Sequence, residues 1–144
     1  MKKPLFLLLL SVGLLYGCQP NDTLSFSEKT EDELAKEVQS FFNSVSKENG
    51  VHLYNDEQSN SLLVYLNGYN IDQGDSAYSF NNFNVEAYGN NLHLSYETDT
   101  TTDYSSEIEN QLFYEVSLDK EYDKIKLFNN EDEVAFKTIS GNLE

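Results

Sequence analysis

Apolar and polar residues alternate with a period of two along most of the chain after residue 50, which is typical of β-strands with one face in a core. Residues 61–67 (SLLVYLN) are apolar on both faces, so this strand is predicted to lie in the centre of a sheet or under another layer. Two alternating runs flank the turn sequence GNN at 89–91 and predict a hairpin. Residues 69–79 and 97–110 are polar and are predicted to be connections. We therefore expect about seven short strands, at 51–54, 61–67, 83–88, 92–96, 112–118, 125–127 and 134–139.

Between residues 30 and 50 the apolar residues follow a helical period instead. They occupy positions 34, 38, 41, 42 and 45, which form one stripe on an α-helix. Thr30 and Glu33 have the spacing of a capping box, and Gly50 is a suitable stop. The pattern predicts an amphipathic helix over 31–48. Because its polar face is acidic, we expect it to pack on the sheet of its own domain, with a membrane surface or a partner protein as the alternatives.

The first residues of the chain have the layout of a secretory signal peptide. Lys2 and Lys3 precede an apolar run that ends at Leu15, and this run is shorter than the roughly 20 residues that a membrane-spanning helix needs. The sequence LYGC that follows, at 15–18, resembles the lipobox of bacterial lipoproteins. The resemblance implies cleavage between Gly17 and Cys18 and attachment of a diacylglycerol to the Cys18 thiol. An ordinary signal peptide or an uncleaved N-terminal anchor helix is the alternative.

The cysteine count and the composition agree with a lipid anchor outside the cytoplasm. Cys18 is the only cysteine, so it cannot form a disulfide within the chain. Two acyl chains give stable membrane attachment, since each buried methylene contributes about 0.8 kcal/mol. The chain has no arginine and is rich in asparagine and lysine, which is typical of low-GC Gram-positive bacteria. We expect a lipid-anchored protein on the extracytoplasmic face of the cell membrane.

These patterns divide the chain into three parts. Residues 1–17 are expected to be a lipoprotein signal peptide, residues 18–29 a polar tether, and residues 30–144 a single globular domain. The predicted fold class is α+β and mostly β. One N-terminal amphipathic helix is expected to pack on an antiparallel sheet or sandwich of about seven short strands.

The net charge narrows the classes of partner. Removing 17 residues from the chain of 144 leaves 127 residues, with seven lysines against 25 acidic residues and a net charge of −18. Such a charge repels nucleic-acid phosphates and anionic lipid headgroups, so we exclude nucleic-acid binding and expect the domain to stand off the membrane on its tether. Plain solubility explains the charge most simply, and a protein or peptide with a basic surface is the expected partner.

The sequence contains no recognisable catalytic or metal-binding signature. His52 and His93 are predicted to face away from the core at unrelated places, and zinc sites use three or four protein ligands. The stretch DQGDS at 72–76 gathers oxygen ligands around a glycine but lacks the spacing of an EF-hand loop. We expect no catalytic residue, no metal and no cofactor.

Exposed aromatic residues give the strongest functional indication. If the strands alternate as predicted, Tyr54, Tyr65 and Tyr88 leave the main core face and form a candidate binding surface. The alternative is that the helix covers them. We expect a non-enzymatic protein- or peptide-binding module on a lipid anchor. A small cell-envelope hydrolase acting through carboxylates, or a cation-binding lipoprotein, is the alternative function.

Overall fold

The computed structural model describes residues 23–102 and 109–141, and it is mostly β as predicted. These residues contain nine strands and one α-helix, so the expected number of about seven strands was too low. A short 3-10 turn precedes the helix. The elements are β1 (Ser25–Lys29), the 3-10 turn (Glu31–Glu33), α1 (Lys36–Ser44), β2 (Gly50–Asp56), β3 (Ser61–Asn67), β4 (Ala77–Tyr88), β5 (Asn91–Thr101), β6 (Gln111–Ser117), β7 (Lys124–Asn129), β8 (Asp132–Val134) and β9 (Thr138–Ser140).

The strands form two sheets, and both are mixed. One sheet has five strands in the order β1-β6-β3-β2-β9, and the other has four in the order β4-β5-β7-β8. The prediction of antiparallel sheets was wrong at two places, because β9 runs parallel to β2 and β7 runs parallel to β5. The run at 134–139, predicted as one strand, divides between β8 of one sheet and β9 of the other. Its two halves therefore contribute to opposite layers.

The first strand lies within residues that were predicted to be tether. β1 pairs antiparallel with β6, from Ser25 opposite Ser117 to Lys29 opposite Phe113. The Phe26 ring holds it in place by meeting the ring of Phe83 edge-on, with 5.3 Å between the centroids. Because β1 precedes α1, the helix is not the N-terminal element of the fold.

The α-helix is shorter than predicted. The predicted capping interaction between Thr30 and Glu33 is present, since the Thr30 N–H donates to Glu33 Oε2 at 2.7 Å. It caps only the 3-10 turn, because Leu34 and Ala35 are both extended, with ψ of 148° and 150°. The helix starts after this break and ends at Ser44. The break leaves the predicted apolar stripe intact, and four of its residues are buried: Leu34, Val38, Phe42 and Val45.

The main core fills the space between the two sheets. Every second side chain of the central strands points into it, as the period of two predicts. Phe83 and Tyr114 stack across the layers, with 4.0 Å between the ring centroids and 11° between the planes. Burial raises the pKa of Tyr114 to about 12. The fully enclosed members of this core are Leu53, Leu62, Val64, Leu66, Leu92, Leu94 and Val116.

A second apolar cluster lies between α1 and the opposite face of the five-stranded sheet. Phe42 contributes from the helix, and Leu63 and Tyr65 contribute from β3. The architecture is therefore helix, five-stranded sheet and four-stranded sheet in three layers. This explains why residues 61–67 are apolar on both faces, as both faces of β3 are covered.

His52 is buried in this region, which corrects the prediction that both histidines face solvent. Its side chain is 0% exposed and lies beside Tyr65, its partner across the β2–β3 pair, with 5.7 Å between the ring centroids. The ring does point away from the main core, as alternation predicts, but the segment after α1 covers it. His52 Nε2 lies 2.8 Å from the Glu48 carbonyl oxygen. Since a carbonyl only accepts hydrogen bonds, Nε2 carries the proton.

The segment after α1 is tied to the end of β3 by an asparagine side chain. Asn67 is 1% exposed, and its Nδ2 donates to the carbonyl oxygens of Ser46 and Glu48 at 2.9 Å each. Its Oδ1 accepts from the Tyr69 N–H at 3.1 Å. A single buried amide thus bonds to three backbone groups and fixes the segment after α1 against the end of β3.

The predicted hairpin is confirmed, with longer strands than expected. β4 and β5 are joined by the two residues Gly89 and Asn90, and Tyr88 pairs with Asn91. The β4–β5 ladder begins with Ala77 opposite Thr101. The predicted connections at 69–79 and 97–110 therefore included residues that belong to strands. On β5, residues 97–101 (ETDTT) are all polar and supply no apolar pattern, although Ala77 and Phe80 opposite them on β4 are buried.

Candidate functional site

The structure separates the three tyrosines that were predicted to form one surface. Tyr65 is 2% exposed beneath α1, so it is not available to a partner. Tyr54 is half-buried at the same layer, with its ring 5.6 Å from that of Phe41. Tyr88 is 55% exposed and belongs to the other sheet. The alternative that the helix covers these residues therefore applies to Tyr65 and Tyr54, and Tyr88 alone remains on an open face.

Tyr88 begins a row of three rings on the outer face of the four-stranded sheet. Its ring lies 4.5 Å from that of His93, and the His93 ring lies 4.9 Å from that of Phe128, measured between centroids. We call Tyr88, His93 and Phe128 the aromatic row. His93 and Phe128 are half-exposed. In the part of the chain that the structure describes, no helix lies over this sheet.

The register of three strands produces the row. Glu86 pairs with His93, and His93 pairs with Lys126, so the three rings occupy diagonal positions on β4, β5 and β7. Diagonal neighbours on one face of a sheet are within reach of aromatic side chains. His93 lies between Leu92 and Leu94, and Phe128 follows Leu127. These three leucines point into the sandwich, so the His93 and Phe128 rings point outward.

Charged side chains surround the aromatic row. The Tyr88 hydroxyl donates to Glu86 Oε2 at 2.7 Å, and this bond raises the pKa of Tyr88, since an ionised phenolate could not donate and would face a carboxylate. On the far side, Lys126 Nζ and Glu133 Oε2 form an ion pair at 3.2 Å. The row is thus an apolar strip with a polar rim, which is the usual composition of a protein-binding surface.

Of the three rings, only Tyr88 was among the residues predicted to form a binding surface. Tyr88 was predicted as a binding residue, and His93 was predicted to face away from the core. Phe128 was missed because the strand at 125–127 was thought to end before it. The signal was present, since Ile125 and Leu127 point inward and the next residue must point outward.

A cleft of about 440 Å³ lies beside Tyr54, between the start of α1 and the β2–β3 turn. Its polar lining includes the acids Glu37, Asp56 and Glu57. The Asp56 carboxylate already accepts from the backbone of the turn, at 3.1 Å from the Gln58 N–H. Tyr54 lines this cleft, and the Asp56 carboxylate is already bonded within the β2–β3 turn.

Over residues 23–102 and 109–141, no three His, Cys, Asp or Glu side chains come together as a metal site. Within the same residues, no helix has the length and apolarity to cross a bilayer. Gly17 and Cys18, the predicted cleavage and lipidation residues, lie outside the described residues.

Comparisons with known proteins give no match. No protein-family model, no curated protein and no solved structure is similar to this chain.

Proposed function

We propose that this protein is a lipid-anchored, extracytoplasmic lipoprotein whose domain binds a protein or peptide without catalysing a reaction. The aromatic row carries the second part of this proposal. Aromatic residues supply a large share of the binding free energy at protein interfaces, because their rings bury much area at little cost in side-chain entropy. The anchor rests on the lipobox-like sequence that ends at Cys18.

The charge of the chain supports a partner with a basic surface. The 25 acidic residues outnumber the nine lysines, and this imbalance steers cationic partners towards the domain and repels anionic ones. Around the aromatic row, Glu86 holds Tyr88 through its hydroxyl and presents a carboxylate to the same face. A partner that places an arginine or lysine there gains both a charge pair and contact with the Tyr88 ring.

Replacing Cys18 with serine is expected to release the protein from the membrane. The hydroxyl of serine accepts no diacylglycerol from the lipoprotein pathway, so the acyl chains that hold the protein are lost. Fractionation of cells that produce each form measures this, together with the intact mass of the protein. We expect the unaltered chain in the membrane fraction, with the mass of an N-terminal Cys18 that carries acyl chains.

The matched control for this test is Ser11→Ala, which alters the same leader but leaves the thiol in place. It should fractionate with the unaltered protein. An unmodified Cys18 with the leader still attached, or equal membrane retention of the Cys18→Ser form, would contradict the anchor.

Removing two rings of the aromatic row is expected to abolish partner capture. The double change Tyr88→Ala and Phe128→Ala leaves the core untouched, since both side chains lie on the outer face. We expect at least a tenfold loss of a partner that the unaltered protein retains from solubilised membranes, because hot-spot aromatics each contribute about 2 kcal/mol or more. Quantitative mass spectrometry of the captured proteins measures the loss.

Tyr69→Ala is the control, because Tyr69 is 62% exposed at the end of β3 in the other sheet. It should capture the same partner to the same extent. If no protein is enriched by the unaltered chain, or if both variants lose it equally, the aromatic row is not the binding surface.

A further inference from the structure

The four-stranded sheet ends in a long strand with an open outer edge. β4 has 12 residues, and among residues 23–102 and 109–141 only β5 pairs with it. The other end strands of the two sheets in the described part of the chain are short, with five residues in β1 and three each in β8 and β9. A short end strand is one of the devices by which proteins avoid pairing with other chains, and β4 lacks it.

The register identifies the backbone groups of β4 that point away from the sheet. Asn130, which follows β7, bonds to two even-numbered residues of β5. The Thr98 N–H donates to Asn130 Oδ1, and the Asn130 N–H donates to the Tyr96 carbonyl oxygen, both at 3.1 Å. Even-numbered residues of β5 therefore bond towards β7, on the side away from β4. Bonding direction alternates along an antiparallel strand, so odd-numbered residues of β5 bond to β4. Val85 and Ala87 lie opposite even-numbered residues. Their N–H and C=O groups therefore point outward.

The described residues cover only the first half of this edge. The Phe80 N–H donates to the Glu109 carbonyl oxygen at 3.0 Å, so the segment before β6 lies along β4 there. A bulge between Asn81 and Asn84 then interrupts the ladder. Beyond it, residues 86–88 are exposed, and none of the described residues bonds to the outward backbone groups.

Resting on the proposed function, we infer that the edge of β4 at residues 84–88 binds an extended, cationic segment of a partner protein as an added strand. Main-chain hydrogen bonds to Val85 and Ala87 would supply affinity that is independent of sequence. Specificity comes from the alternate side chains, because Asn84, Glu86 and Tyr88 line the outer face of the sheet beside the added strand.

Charge decides between a second copy of this chain and a different partner. Two copies without the leader would each bring seven lysines against 25 acidic residues, a net charge of −18, and would place two Glu86 carboxylates at one edge. Like charges facing each other across a strand pair are destabilising, and opposite charges are stabilising. A segment with lysine or arginine at every second position fits this edge, with its cations beside Glu86 and the exposed face of Tyr88.

The test uses the protein purified from membranes in detergent and a short peptide of alternating lysine and valine. Nuclear magnetic resonance is expected to show shifts of the amides of residues 84–88 on addition of the peptide, and slower hydrogen exchange at Val85 and Ala87. The same peptide with N-methyl groups on every second amide cannot form the ladder. We expect the affinity of the N-methylated peptide to be at least about tenfold lower, because it loses backbone hydrogen bonds to β4.

The variant Ala87→Pro tests the same backbone hydrogen bonds by changing the protein instead of the peptide. Proline is tolerated on an edge strand where the N–H faces outward, so this change removes one outward donor and no bond to β5. Ala87→Ser is the matched control, since it keeps the N–H. We expect the peptide to bind Ala87→Pro about tenfold more weakly and Ala87→Ser normally. If Ala87→Pro does not fold, the two peptides on the unaltered protein decide the question.

Two outcomes overturn the inference. The first is equal binding of the plain and N-methylated peptides, which would show attraction between charges without an added strand. The second is a captured partner that is lost on removing Tyr88 and Phe128 but is unaffected by Ala87→Pro; in that case the aromatic row binds and the proposed function stands. Loss of that partner with Ala87→Pro and not with Ala87→Ser supports the edge.

Discussion

Replacing Phe42 with alanine is expected to lower the free energy of unfolding by about 3–5 kcal/mol. Phe42 is 3% exposed and is the central ring between α1 and the five-stranded sheet. Its ring lies 5.2 Å from that of Tyr65 and 5.7 Å from that of Phe113. Removing it leaves a cavity that the stiff strand beneath cannot fill, and a short helix has little stability without its packed face. Chemical denaturation of the purified protein measures the loss.

Phe41→Ala is the control, one residue away on the same helix. Phe41 is half-exposed, and its ring contacts Phe42 and Tyr54 at the margin of the cluster. We expect a loss of about 1–2 kcal/mol, since less area returns to water. Equal losses for the two variants would mean that α1 packs differently from this description.

The change Asn67→Asp is expected to destabilise the domain by at least about 3 kcal/mol near neutral pH. It keeps the shape of the side chain and replaces the donor that faces the carbonyl oxygens of Ser46 and Glu48. A buried carboxylate would then face two oxygens and offer no hydrogen atom. Thermal and chemical denaturation of both forms measure the difference.

The pH dependence of that difference tests the explanation. The carboxyl introduced at position 67 is expected to have a folded-state pKa above the ordinary value of about 3.9. The penalty should therefore be smallest below about pH 4, where the protonated form donates to one carbonyl, and should grow as the pH rises through the folded-state pKa. Asn70→Asp is the matched control, because Asn70 donates to the same Ser46 oxygen at 2.8 Å but is exposed. Its penalty should be below about 1 kcal/mol at all these pH values.

The periodic parts of the sequence predict their own structure well. The alternating runs around β3 and the β4–β5 hairpin, and the apolar stripe of α1, are all found where the pattern indicates, because burial of one face dictates both period and face. The strand β1 was missed since only Phe26 among its five residues is apolar, and its pairing with β6 is made by the backbone. Pairing partners distant in sequence, such as β2 with β9, leave no periodic signal at all.

The surface was harder to predict than the core, for a related reason. The alternation of apolar and polar residues predicts which side of a strand each residue occupies, but it does not predict whether another layer covers that side. Tyr65 and Tyr88 have the same pattern in sequence, yet α1 covers the first and leaves the second in solvent. His52 is likewise covered, by the segment after α1, whereas His93 is partly exposed. The packing of α1 on β3 and the place of β4 at the end of its sheet are seen only in the folded chain.

The division of residues 132–140 between the two sheets has a consequence for biogenesis. These residues supply the last strand of each layer, and β9 pairs with β2, which is synthesised much earlier. Neither layer can be completed before this stretch has been synthesised. Closure of both sheets therefore waits for residues 132–140, and the pairing of β9 with β2 is a late contact between distant parts of the chain.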